Sequence, residues 1–301
     1  MKQDFETDEL KAELERTLGF PLRSLVRLDG ASALNFKAVR EGDGLAFLVK
    51  CIPSERRAFC RHLVANLEVL RDVKVPRRLF ADRLTSPFHS YGIVCLSWCE
   101  GRRLYPDQLT EDQLKVLLDD YLNLSRAFQC LPEINAADRL LDFRHFAVCG
   151  CRGVCGGIIR RVIDRIVPVD SVRYKTDLLR VIHGDFHHGN FLFIDGRVTG
   201  FFDLEELCWG YCAEDIVRYF VCAAEHVPWF ACWRHRRILR RFALAVRYLG
   251  YSRDEWELAI NGLLIRKFAK KICSGRLGPL RTVNLLYRAI FYARLKREIL
   301  V

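Results

Sequence analysis

The stretch Val181-Ile-His-Gly-Asp-Phe-His-His-Gly-Asn-Phe-Leu-Phe-Ile-Asp-Gly-Arg-Val-Thr-Gly-Phe-Phe-Asp-Leu204 decides how this chain is read. Its charged and amide groups sit at the ends of short apolar runs. Asp185 lies in a turn directly after Val181-Ile182, Asn190 follows five residues on, and Asp203 closes a second apolar run after the Asp195-Gly196 hairpin turn. Folding that hairpin is expected to bring Asn190 and Asp203 to one side. An amide oxygen and a carboxylate converging from two strands are hard ligands suited to Mg²⁺, and a carboxylate held nearby but off the metal, Asp185, can orient a hydroxyl. Phosphoryl transfer is the reaction such a set serves, because positioning and charge neutralisation do most of its catalytic work.

Upstream, apolar positions switch from helical spacing to alternation after Gly19-Phe20-Pro21. Strands are predicted over Leu22–Leu28, Leu34–Val39, Leu45–Cys51, Arg78–Ala81 and Tyr91–Trp98, with Gly42-Asp43-Gly44 as a hairpin turn. Between Pro53 and Pro76, Phe59, Leu63, Leu67 and Leu70 recur at three- and four-residue intervals, one face of a helix. The result is a five-stranded sheet with a helix packed on it. After Glu100-Gly101 long helical stretches take over, interrupted by the quoted segment, so a boundary is placed at Ser97–Gly101.

Half of the 301 residues are apolar, which excludes disorder, and no stretch approaches the apolar run of a membrane-spanning helix. The polar, acidic start is read as that of a cytoplasmic chain. Thirteen cysteines, odd in number and set mostly among apolar neighbours, read as reduced core thiols; the Cys149, Cys151, Cys155 cluster lacks zinc-ribbon spacing. His187 and His188, being adjacent, point apart and are expected to brace their loop by hydrogen bonds. The five tryptophans are expected in the core or in pocket walls. The formal net charge is +11, and residues 221 to 301 hold 17 Lys and Arg against 5 Asp and Glu, so the excess is C-terminal. Such a block favours anionic partners, although it lacks the interleaved stacking aromatics of a nucleic-acid recognition module.

The His183-x-Asp185-x-x-x-x-Asn190 spacing, with Asp203 after a short hairpin, resembles the aminoglycoside phosphotransferase and choline kinase-like branch of the protein kinase fold. His183, Gly184, Asp185, His187, Gly189, Asn190 and Asp203 match that family's pattern. The resemblance implies a bilobal α+β fold, with a small five-stranded nucleotide-binding lobe over residues 1–97 and a larger, mainly helical catalytic and acceptor-binding lobe over 98–301. It implies ATP and Mg²⁺ as cofactors, Asp185 as the catalytic carboxylate, and Asn190 and Asp203 as metal ligands. His183 and Asp215 become supporting residues of the catalytic loop. Gly30, Ser32 and Asn35 correspond to the loop that covers the nucleotide, and Lys50 to the strand lysine that contacts its phosphates. The helix acid that normally pairs with that lysine is not evident: Glu55 is too early, Glu68 lies opposite the apolar face, and the sheet-facing flank offers His62 and Asn66.

The resemblance leaves the acceptor open among sugars, aminoglycosides, choline-like amino alcohols and homoserine. Glu205, Glu206 and Glu214 could serve a cationic acceptor, but the basic C-terminal block tilts the reading to an anionic or lipid-linked sugar, such as a lipopolysaccharide core sugar. Residues 221–301 then become the candidate contact with an acidic membrane surface. A catalytically silent kinase-fold scaffold is the reading from another class.

Overall fold

The computed structural model of the protein describes residues 7–28, 34–53, 65–83, 91–131, 161, 176–228, 230–273 and 279–299. The chain divides into two compact units. The first is Met1–Gly101 together with Cys130–Glu133 and Thr199–Glu205, and the second is Arg102–Gln129, Ile134–Val198 and Glu206–Val301.

In the first unit, strands β1 (Leu22–Leu28), β2 (Leu34–Arg40), β3 (Ala46–Pro53), β4 (Arg78–Arg83) and β5 (Tyr91–Ser97) form one sheet in the order β1-β2-β3-β5-β4, all pairs antiparallel. The β2–β3 turn is the expected one: Gly42 and Gly44 take positive φ, and Asp43 accepts from the Leu45 amide and the Arg40 guanidinium. Alternation sorts the two faces. Phe36, Ala38, Phe47, Val49, Cys51, Ile93 and Cys95 pack together with Leu10 and Leu14 of helix α1 (Thr7–Leu18). Lys50 lies between Val49 and Cys51 and so belongs to the opposite face, where Leu48 and Leu96 join Leu67, Phe201 and Leu204 around a small cavity. Cys51 and Cys95 are buried thiols, and burial pushes both up to about 12, as reduced core cysteines require. Of the helix expected between Pro53 and Pro76, the described part is helical over 65–69 and buries Asn66, Leu67 and Leu70 while Glu68 is exposed.

The second unit is mainly helical: α2 (Glu111–Phe128), α3 (Cys212–His226), α4 (Cys232–Leu249), α5 (Arg253–Cys273) and α6 (Pro279–Glu298). Helix α2 opens with a capping box in which Thr110 and Gln113 each satisfy the other's backbone N–H. A short antiparallel ladder joins β6 (Arg180–Ile182) to β9 (Cys208–Gly210). Strands β7 (Phe191–Ile194) and β8 (Arg197–Phe201) form a hairpin whose turn residues Asp195 and Gly196 both have positive φ, as the Asp-Gly pair predicts. The core is aromatic. Phe186 meets Tyr121 and Phe191 at centroid distances of 4.8 and 5.2 Å, and Phe242 meets Phe220 and Trp256 at 5.3 and 5.4 Å. Trp256 is thus a core residue. Trp209 and Trp233 are exposed, at 40% and 61%, because they fall on the solvent-facing positions of a two-stranded ladder and of a basic helix. The Cys149 cluster lies outside the described residues. Among the described residues, no helix is long and apolar enough to cross a membrane.

Candidate active site

The loop that begins where β6 ends is anchored from below. Asp215, in the first turn of α3 and fully buried, accepts hydrogen bonds from the His183 amide at 2.7 Å, the Gly184 amide at 2.9 Å and the Tyr121 hydroxyl at 3.1 Å. Two successive amides can converge on one carboxylate because Gly184 sits at φ 76°, a conformation other residues resist. Burial is the largest influence on the Asp215 carboxyl and raises it above the usual range, against the opposing charges of His183 and Arg218 and the two amide bonds. Above the anchor, Phe186 fixes the loop in the aromatic core, and the Asn190 amide nitrogen donates to the Asp185 carbonyl at 2.9 Å. The Gly189 amide donates to His187 Nδ1 at 3.0 Å. A Cβ at position 189 would stand 2.7 Å from the His187 ring, which is the physical reason for glycine there.

Asp185 itself is half-buried and has two nitrogen neighbours, His187 Nε2 and Arg218 Nη1, each at 3.3 Å. Because His187 Nδ1 accepts from Gly189, its proton sits on Nε2 and points at Asp185. Burial works against ionisation of Asp185, but the His187 hydrogen bond and the charge of Arg218 outweigh it and hold the carboxyl down at about 2. Asp185 is therefore an ionised acceptor of weak basicity, suited to orienting a hydroxyl.

Sequence reasoning missed Arg218. Its signal was present, since Glu214, Asp215 and Arg218 fall within one turn of α3 and share its inward side. His188 also departs from expectation: it makes no bracing hydrogen bond through Nδ1, which is buried without a partner, and its ring stacks on Tyr105 at 4.0 Å.

The first unit holds the remaining charged candidates. Lys50 is 5% exposed, and its Nζ lies 3.0 Å from Asp203 Oδ1. Asp203 takes φ 58°, a strained choice for a non-glycine residue and one that collects at functional positions. Its segment is held to the sheet unit by the Phe201 amide on the Lys74 carbonyl at 2.8 Å and by Thr199 Oγ1 on the Glu100 carbonyl at 2.7 Å. Asn35 stands opposite Lys50 in the β2–β3 register, its Oδ1 buried without a partner. Gly30, Ser32, Glu55 and His62 lie outside the described residues. Glu68 is exposed, as its helical phase predicted, and among the described residues Asp203 is an acid that meets Lys50.

The loop segment matches a known family. Residues 167–251 fit the model of the phosphotransferase enzyme family, APH. No curated protein matches the chain. Among solved structures, the GDP and kanamycin complex of APH(2″)-IIia is similar over 96% of this chain and 98% of that one, at 14% identity and a TM-score of 0.62. A thermostable mutant of aminoglycoside phosphotransferase APH(4)-Ia with ADP and hygromycin B aligns over 96% and 98%, at 13% identity and TM-score 0.55. Streptomyces rimosus APH(3″)-Id with ADP and streptomycin aligns over 87% and 99%, at 16% identity and TM-score 0.55. The chain resembles this family and has its bilobal, protein kinase-like fold. At these identities the likeness carries the fold and not the acceptor.

Proposed function

We propose that the protein is an ATP- and Mg²⁺-dependent phosphotransferase that moves the γ-phosphate to a hydroxyl of a small molecule, with an anionic or lipid-linked sugar, such as a lipopolysaccharide core sugar, as its acceptor class. The observation that carries the reading is the Lys50–Asp203 pair. A buried strand lysine and a strained, strand-ending aspartate, singled out from distant stretches of sequence, meet at 3.0 Å in one unit. Lys50 would act on the nucleotide phosphates as a point charge. Asp203 and Asn190 would hold the Mg²⁺; the Asn190 amide nitrogen is committed to the Asp185 carbonyl, leaving its oxygen as the ligating end, and both donors are hard oxygens. When bound, the ion neutralises charge on the phosphate oxygens. Asp185 would orient the acceptor hydroxyl, whose oxygen bonds to the γ-phosphorus as the bond to the bridging oxygen breaks, ADP leaves and the hydroxyl proton is released by way of Asp185. His183, Asp215 and His187 hold Asp185 in place.

The leaning toward an anionic or membrane-borne acceptor rests on charge. Helix α4 has no acidic residue, and Arg236, Arg237 and Arg240 are exposed along it with Trp233, a surface suited to acidic headgroups. ADP release, measured with and without Mg²⁺ over sugars, amino alcohols and core oligosaccharides, tests the function. Release that is Mg²⁺-dependent and acceptor-dependent is expected. Silence with normal nucleotide binding would replace the enzyme with a binding scaffold.

A further inference from the structure

We infer that Arg218, Arg103 and the His188–His226 pair form an anion-binding subsite beside Asp185, so that the acceptor carries a phosphate or carboxylate close to the hydroxyl that is phosphorylated. This deepens the phosphotransfer reading and rests on it for the role of Asp185.

Two buried polar groups lack the partners that burial demands. The Arg218 side chain is 15% exposed, yet among the described residues its only hydrogen bond is the long one to Asp185 at 3.3 Å; Glu214 stands off at 3.9 Å, and Nε is buried with no partner. A guanidinium has five donors, and leaving them unused out of water costs free energy that an incoming oxyanion would recover. His188 is 8% exposed with Nδ1 likewise unmatched. Its ring lies 5.6 Å from His187 and 5.0 Å from His226. Arg103 stands two residues before Tyr105, whose ring stacks on His188 at 4.0 Å. Among the described residues, the acids near Arg218 include Asp185, which the proposed chemistry uses, Glu214, and Asp215, whose oxygens already accept from the His183 and Gly184 amides and the Tyr121 hydroxyl. An amine-rich acceptor would meet repulsion here, whereas an oxyanion would meet a guanidinium fork of matching geometry.

Titrating inorganic phosphate and sulfate into the Mg-ADP complex of the full chain reads the subsite without turnover, and the bound nucleotide keeps Lys50 out of the measurement. Binding is expected, weakened about tenfold or more by Arg218→Gln and by Arg103→Ala. Arg103 is exposed, so its variant keeps the test open if Arg218→Gln fails to fold. Absent binding, or equal affinity in wild type and both variants, overturns the subsite. In the ADP-release assay a sugar phosphate should be preferred over its unphosphorylated parent and over an amino sugar by about tenfold or more in kcat/KM, with Arg103→Ala acting on KM. If Arg218 serves only to position Asp185, Arg218→Gln lowers kcat equally for every acceptor and leaves phosphate binding intact, and the inference falls. Phosphate binding without ADP release from any acceptor would remove the phosphotransfer reading and leave the subsite. Release that favours the amino sugar would do the reverse.

Discussion

Asp185 is depressed to about 2 by contacts that belong to the folded loop, and this has consequences for both acid stability and rate. A lowered carboxyl contributes stability that is present above its unfolded value, 3.8, and lost as pH falls through its folded one. Its part in acid unfolding therefore falls between about pH 4 and 2. In kcat/KM against pH, Asp185 should give no acidic limb between about pH 5 and 8. A variant lacking the His187 contact, His187→Ala, should move the Asp185 limb upward; an unchanged profile would break the assignment. Asp185→Asn should abolish transfer while nucleotide affinity, read with a fluorescent ADP analogue, survives. Asp215→Ala tests the anchor. It leaves the His183 and Gly184 amides buried without an acceptor, at about 1–3 kcal/mol each, so the urea midpoint should fall well before any effect on nucleotide binding is considered.

At the scale of elements, strand β3 and its neighbours were legible from the sequence almost to the residue, because alternation of apolar side chains is dictated by a sheet with one fully packed face. Leu22–Leu28 was read with its observed bounds, and Leu34–Val39 ended one residue early. The loop after β6 was equally legible, since its polar residues cluster where no apolar periodicity explains them. Pairings across long separations were not. Nothing local says that Lys50 and Asp203, 153 residues apart, meet, or that Arg218 turns toward Asp185. Exposure of Trp209 and Trp233 was missed for a related reason: residue type suggests burial, and only neighbouring elements decide it. The sheet predicts a contrast. Lys50→Ala should raise the KM for ATP about tenfold or more, whereas Glu68→Ala, on an exposed helical position, should leave it within about twofold. Comparable damage from both would show that the helix phase is misjudged.

For the molecule as a whole, the first unit is discontinuous in sequence. Thr199–Glu205 belongs to it as fully as the strands do: Phe201 and Leu204 line the cavity behind Lys50, and backbone bonds tie the segment to Lys74 and Glu100. A fragment ending at Gly101 should accordingly expose Leu48, Leu67 and Leu96, bind a hydrophobic dye and unfold at lower denaturant than the same fragment with residues 199–205 joined to its end. Equal stability of the two would mean the segment is merely draped on the sheet. The same arrangement bears on synthesis. A nascent chain leaves the ribosome N-terminus first, at about 5–20 residues per second, so the five strands emerge roughly 5–20 s before the segment that seals them. During that interval the sheet waits with one face incompletely covered, a client for chaperones in every round of translation, and the sheet unit reaches its final form only after most of the chain has been made.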